Sequence, residues 1–258
     1  MYIINKRSIF IDFRASIWYN SIMSIIRILT NEYSGITRES LLETVAFIVA
    51  LLIALVLHEV AHGLVAYWSG DITAKYYGRL SLNPAKHFDI VGLVMMLLVG
   101  FGWAKPVPVN PNNFKNRKTG AITVSLAGVV TNLILAFLFS ALIVFMGAIP
   151  VVNQSTTYYV VLFLYCLGVY TTALNINFAL FNLLPLYPLD GYRLISCFVD
   201  ERNSVMTFLR RNSLYIMLVL IIIDNVPVLS AFSPINWYIT TLGGKIMELF
   251  RQFWGLFV

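Results

Sequence analysis

The chain has 258 residues, of which 59% are hydrophobic and only 12% charged, whereas an ordinary soluble domain carries about 25% charged residues. A soluble globule of this composition would leave large apolar patches in water, so the chain reads as an all-α polytopic membrane protein, a bundle of about four to six transmembrane helices. The net charge of +6 comes from Lys and Arg scattered over short connecting segments, which excludes a nucleic-acid partner and suits loops lying against an anionic bilayer face. Cys166 and Cys197 form no CxxC pair, so neither a disulfide framework nor a cysteine zinc site is indicated.

Residues 1–40 form an amphipathic N-terminal segment. The stretch 8–29 mixes Asp12, Arg14 and Arg27 with Ile, Phe and Trp and lacks the apolar centre and small-residue cleavage site of a signal peptide. It reads as an interfacial helix. A first spanning helix is the alternative, although 15–26 falls short of the ~20 residues a span needs. Residues 31–39 are a polar connector with Gly35 at a turn,.

Residues 41–232 carry the core. A long helix is expected over 41–68, followed by a polar stretch, 70–89. The apolar segment 90–104 is too short to span and contains three Gly, so it reads as re-entrant. Clear spans follow at 119–149 and 158–184, and another at 214–232, interrupted by Asp224 and Pro227. Residues 233–258 form a C-terminal helix, interfacial or partly inserted, with Lys245, Glu248 and Arg251. Loops 105–118 and 193–211 are rich in Lys and Arg while 150–157 has none, which places the first two in the cytoplasm.

The helix 41–68 contains His58-Glu59-Val60-Ala61-His62. The i, i+4 spacing puts both imidazoles on one helix face, one turn apart, and Glu59 within reach of a water on a metal that both rings hold. The motif therefore supplies two ligands and a base. With three His in the chain, a chance match is expected about once in a thousand such sequences. Ionisable groups inside a spanning segment are costly and usually functional.

A third protein ligand is needed. The metzincin pattern would require Gly and His where this chain has Val65 and Trp68,. No Glu occurs between Glu59 and Glu201, which leaves Asp71, His87, Asp89 and Asp190. Asp190 stands out because the stretch 182–191 attaches it to a span interrupted by Pro185 and Pro188, and broken backbone at membrane depth commonly lines a polar site. His87 reads as the cap or brace of a loop. Asn132, an amide inside an apolar helix, either bonds a neighbouring helix or faces the cavity.

Together these residues resemble the site-2 protease family of intramembrane zinc metalloproteases over most of 41–232. Besides HExxH, residues 182–191 look like the family's NxxPxxPLDG motif, and 78–84, 101–110 and Ser125-Leu126-Ala127-Gly128 with Asn132 look like its compact bacterial branch. The resemblance implies His58, His62 and Asp190 as ligands of Zn2+, Glu59 as catalytic base, and Asn182 as a residue that positions the substrate backbone or its oxyanion. It also implies membrane-spanning protein substrates within the bilayer of a bacterial cell membrane. The loop charges put the Trp68 end of the helix 41–68 in the cytoplasm, and His58 lies nearer that end, so the active site is expected nearer the cytoplasmic face,. Val129, where many relatives have Pro, and Tyr192, where a small residue is common, depart from the pattern without removing a ligand or the base. The hydrophilic connections, about 20 to 30 residues at most, leave no room for a PDZ domain, which needs at least ~50. A catalytically silent scaffold of the same fold and a metal transporter are the alternative functions.

Overall fold

The computed structural model describes residues 37–92, 104–200, 202–226, 229 and 232–258. The segment 8–29 and most of the segment 90–104 lie outside the described residues, and with them the expected interfacial helix and re-entrant turn. Among the described residues the chain is mostly helical and contains no strand. Its helices are α1 (Arg38–Trp68), α2 (Thr73–Tyr76), α3 (Arg117–Ala148), α4 (Thr156–Asn182), α5 (Asp190–Ser196), α6 (Ser204–Asn225) and α7 (Pro234–Gly255).

Each long helix starts where the sequence offers an oxygen to its first unpaired amides. Thr37 Oγ1 accepts from the Ser40 N–H at 3.1 Å and Asn116 Oδ1 from Thr119 at 3.0 Å. Ser155, Asn203 and Ser233 cap α4, α6 and α7 in the same way. The cap at Asn203 starts α6 ten residues before the apolar stretch begins at Leu214. Arg210 and Arg211 therefore lie inside the helix rather than in a loop, because a cap and not hydropathy sets where a helix begins.

Four of these helices, α1, α3, α4 and α6, are long and apolar enough to cross a membrane. Their surfaces are apolar outward and polar inward. On α3, Val130, Ile134 and Leu138 form an exposed i, i+4, i+8 stripe, and on α6 Leu214, Leu218, Val219 and Ile222 are exposed. Meanwhile His58, His62, Asn132, Ser140, Thr171, Thr172 and Asn175 are buried. That inversion suits a hydrocarbon solvent and fits an all-α polytopic membrane protein.

The core is the triangle of α1, α3 and α4. Small residues let these helices approach closely, as they must where lipid removes the hydrophobic drive between helices. Ala46, Ala50 and Ala54 recur every fourth residue on α1 and are fully buried, and Ala50 and Ala54 pack with Phe47, Leu51 and Leu174. Helix α7 lies across α3 and α4. Its Tyr238, Ile239, Ile246, Met247 and Phe250 cover Ala136, Ile176 and Leu180, and Trp254 Nε1 donates to the Phe137 carbonyl at 3.0 Å. Its Glu248 and Arg251 are exposed.

Between α1 and α3 the chain is held by polar clamps. Asp71 is fully buried and accepts from the Thr73 N–H (3.1 Å), the Thr73 hydroxyl (2.5 Å), the Asn110 N–H (2.7 Å) and Asn113 Nδ2 (2.7 Å). Burial alone would raise its carboxyl pKa, but these donors outweigh it and hold the pKa below the ordinary value,. A lowered folded pKa means the clamp contributes fully above the unfolded value near ~3.9 and fades as pH falls through the folded one. Asp71→Asn should therefore cost about 1–3 kcal/mol at neutral pH, and the difference from wild type should shrink in acid. Thermal melts of the two proteins at several pH values check this, and a gap that widens in acid would be the contrary result.

Candidate metal centre

The centre is built on α1 about 15 Å from its Trp68 end, counting 1.5 Å per residue from His58. One helical turn separates His58 and His62, whose ring centroids lie 4.7 Å apart and whose Nε2 atoms approach to 3.1 Å. Both rings are buried. Neither would hold this orientation unaided, and each is fixed through its other nitrogen. His62 Nδ1 lies 2.7 Å from the Val124 carbonyl, and His58 Nδ1 lies 2.5 Å from Asn132 Oδ1. A carbonyl can only accept, so His62 carries its proton on Nδ1 and turns the Nε2 lone pair into the site.

Asp190 reaches the same point from the far end of the chain. After α4 ends at Asn182, the loop 183–189 contains Pro185 and Pro188, which cannot continue the helix, and the chain restarts with Asp190 as the first residue of α5,. Gly191 makes this turn possible. A Cβ there would lie 2.3 Å from the Leu183 carbonyl oxygen and 2.5 Å from that of Leu184. Asp190 Oδ2 sits 3.4 Å from His58 Nε2 and 3.1 Å from His62 Nε2. Helix α3 closes the opposite wall through Gly128, where a Cβ would lie 2.3 Å from His58 Cε1 and 2.5 Å from His62 Nε2.

His58, His62 and Asp190 thus offer one ligand atom each, all within 4.8 Å of one another and all buried. Asp190 Oδ2 is buried and has no hydrogen-bond partner among the described residues. A lone pair and a carboxylate oxygen converging without a donor would be strongly unfavourable alone, and a bound divalent cation satisfies them. Two imidazoles and a carboxylate, with the remote nitrogens anchored, are also the donor set that zinc takes in three-ligand sites. The residues fit the metal.

Glu59, the motif's expected base, is half-buried beside this group. Its Oε2 accepts from the Val107 N–H at 2.9 Å. Pro106 and Pro108 flank Val107 and have no N–H, so Val107 supplies the donor at this point of the loop,.

The other ligand candidates go elsewhere. Asp71 is spent on the loop clamp. Asp89 Oδ1 accepts from the Gly92 N–H at 2.9 Å. His87 is 1% exposed and its Nε2 lies 2.7 Å from the Ser81 carbonyl, bracing its loop. Asn182 ends α4 and turns its amide back along the helix, Nδ2 donating to the Phe178 carbonyl at 3.0 Å.

Asn132 joins both of its expected roles, touching His58 and also α4, where its Nδ2 donates to Asn175 Oδ1 at 2.6 Å. Asn175 and the wall residue Gly128 are site residues that sequence reasoning did not single out as such. Asn175 stands seven residues, two helical turns, before Asn182 on an apolar helix, a spacing that could have flagged it.

No family model matches the chain, and no solved structure matches it. The chain is 43% identical over 158 residues to a Bacillus subtilis (strain 168) protein named "Putative zinc metalloprotease YwhC". The match covers 57% of this chain and 66% of that relative, just under two thirds of its length.

Proposed function

We propose that the chain is a zinc metalloprotease that hydrolyses peptide bonds in or near the transmembrane segments of membrane proteins, of the site-2 protease type. The observation that carries this reading is the buried His58, His62 and Asp190 triad, with Glu59 beside it, on a helix able to span the bilayer. The name of the Bacillus relative supports the zinc and protease parts of it.

On this reading His58, His62 and Asp190 hold Zn2+. When bound, the metal polarises the scissile carbonyl and acidifies the attacking water. Glu59 takes the proton of that water and later returns it to the leaving amine. The Val107 N–H holds one carboxylate oxygen of Glu59 and leaves the other for this transfer. A substrate helix hides its carbonyls in i to i+4 bonds, so it must unwind locally before attack. Asn182 keeps a second N–H besides the one given to Phe178, and we assign that group to the substrate backbone or its oxyanion.

Residues 41–232 form the protease core, 1–40 and 233–258 flank it, and membrane-spanning proteins within the bilayer are the substrates. We assign the site to the side nearer the cytoplasmic face of the cell membrane, a reading supported by the Lys and Arg of the stretches 105–118 and 193–211, since such residues concentrate on that side,.

The test is zinc content and cleavage of single-span substrates measured together on the purified full chain in detergent. Wild type should hold about one zinc and lose cleavage on chelation. Asp190→Ala should lose zinc while His87→Ala keeps it, and the reverse pattern would show the third ligand to be misassigned. Asn182→Ala should keep zinc and melt normally while turnover drops about 10² to 10³. Wild-type turnover in zinc-loaded Asn182→Ala removes its oxyanion role.

A further inference from the structure

Two histidines face one metal position, yet they are oriented by different means. The Val124 carbonyl holds His62 directly. His58 instead meets Asn132, whose carboxamide offers a donor and an acceptor of nearly equal shape. If that amide turned over, its NH2 would face His58 Nδ1, the ring proton would move to Nε2, and the lone pair would leave the site.

What prevents this lies on α4. Asn132 Nδ2 donates to Asn175 Oδ1 at 2.6 Å and reaches the Ala54 carbonyl at 3.4 Å, and Asn175 Nδ2 donates to the Thr171 carbonyl at 2.8 Å. Asn132, Asn175 and Thr171 are all fully buried. Water therefore has no access to repair a reversed arrangement. Thr171 and Ala54 present backbone carbonyls, which only accept. Turning Asn175 over would set its Oδ1 against the Thr171 oxygen, and turning Asn132 over would set its Oδ1 against the Ala54 oxygen. Each step leaves two buried acceptors face to face. The direction of every bond follows: Asn175 donates to Thr171, Asn132 donates to Asn175, and His58 donates to Asn132.

We infer that Asn175 is a positioning residue for the metal centre, acting through Asn132 to keep the His58 proton on Nδ1 and its Nε2 lone pair aimed at the metal. This rests on the His58, His62 and Asp190 metal reading, but the tautomer it fixes exists without any metal. Asn175 touches neither the ligands nor Glu59 through any described hydrogen bond. Its effect is on how the site is prepared. Partners that orient a ligand in this way typically contribute 10- to 100-fold to metal affinity, and Asn175, one residue further out than Asn132, should stand near the lower end.

The experiment uses the full chain in detergent with 15N-labelled histidine. In the metal-free protein, at a pH where the rings are neutral, the His58 nitrogen resonances should report the proton on Nδ1. A proton on Nε2 in wild type overturns the inference without recourse to any variant. Asn175→Ala should give a mixture of tautomers and bind zinc about tenfold more weakly in competition with a chromophoric chelator. Asn175→Asp keeps an acceptor for Asn132 and should retain the Nδ1 tautomer and at least wild-type zinc affinity, although a buried carboxylate beside the Thr171 carbonyl should lower its melting temperature below that of Asn175→Ala.

A residue that merely packs α3 against α4 would give another pattern, with melting temperatures altered and tautomer and zinc affinity unchanged in Asn175→Ala. That pattern overturns the assignment. If wild type takes up no zinc, the metal reading fails, while the tautomer spectrum still decides the role of Asn175.

Discussion

Glu59→Gln should retain about one zinc per chain and lose cleavage by about 10² to 10⁴, the range that a positioned general base contributes. The two effects separate because Glu59 is not one of the three convergent ligands, whereas it is the carboxylate next to them in the motif. A glutamine keeps the length of the side chain and an oxygen that can accept from the Val107 N–H, so the loop 104–110 should stay in place. What it loses is the ability to take a proton from the attacking water. The check is zinc analysis beside turnover of a single-span substrate, with melting temperature measured on the same preparation. Turnover equal to wild type in a zinc-loaded Glu59→Gln would end the metalloprotease reading, whereas loss of zinc would mean that Glu59 is a ligand and that one of the three assigned groups is not.

The part of this centre that was legible in the sequence is the part with a fixed spacing. HExxH puts two ligands and a carboxylate on one helix whatever the rest of the chain does, and the helix is present over Arg38–Trp68. The third ligand could not be read with the same certainty from the residues, which left Asp71, His87, Asp89 and Asp190 open. The choice among them depends on which loop returns to α1. Asp71 and His87 are buried too, but Asp71 is held by Thr73, Asn110 and Asn113 and His87 Nε2 lies against the Ser81 carbonyl, and burial of a titratable group has no sequence signature of its own. Helix ends were misplaced where a cap and a hydropathy change do not coincide, as at Asn203 and Leu214. Backbone groups were invisible. Neither the Val124 carbonyl that holds His62 nor the Val107 N–H that holds Glu59 depends on a side-chain type that a motif could record. Asn182 could be placed at the end of its span but not aimed, since an amide on a helix can always satisfy itself on the carbonyl four residues earlier,.

Gly128→Ala should weaken zinc binding at least tenfold although it removes no ligand. The methyl group would lie 2.3 Å from His58 Cε1, 2.6 Å from His58 Nδ1 and 2.5 Å from His62 Nε2. Contacts this short cannot be absorbed by a rotamer change, because both rings are anchored through Nδ1 to Asn132 and to the Val124 carbonyl. Either α3 retreats, taking both anchors with it, or the rings tilt and abandon them. Both responses separate the Nε2 atoms from the position they share with Asp190 Oδ2. Overpacking of this kind ordinarily costs about 1–3 kcal/mol, which a long three-helix core can tolerate, so the chain should still fold with a lowered melting temperature. Zinc is less forgiving, since its bond lengths to nitrogen and oxygen vary by only about 0.2 Å. Zinc affinity should therefore fall at least tenfold, and cleavage with it. Gly244→Ala on α7, where a Cβ meets nothing within 4 Å among the described residues, is the control and should leave zinc binding and turnover as in wild type. If Gly128→Ala instead binds zinc like wild type, α3 does not press on the histidines as described, and the close wall at Gly128 has no part in forming the site.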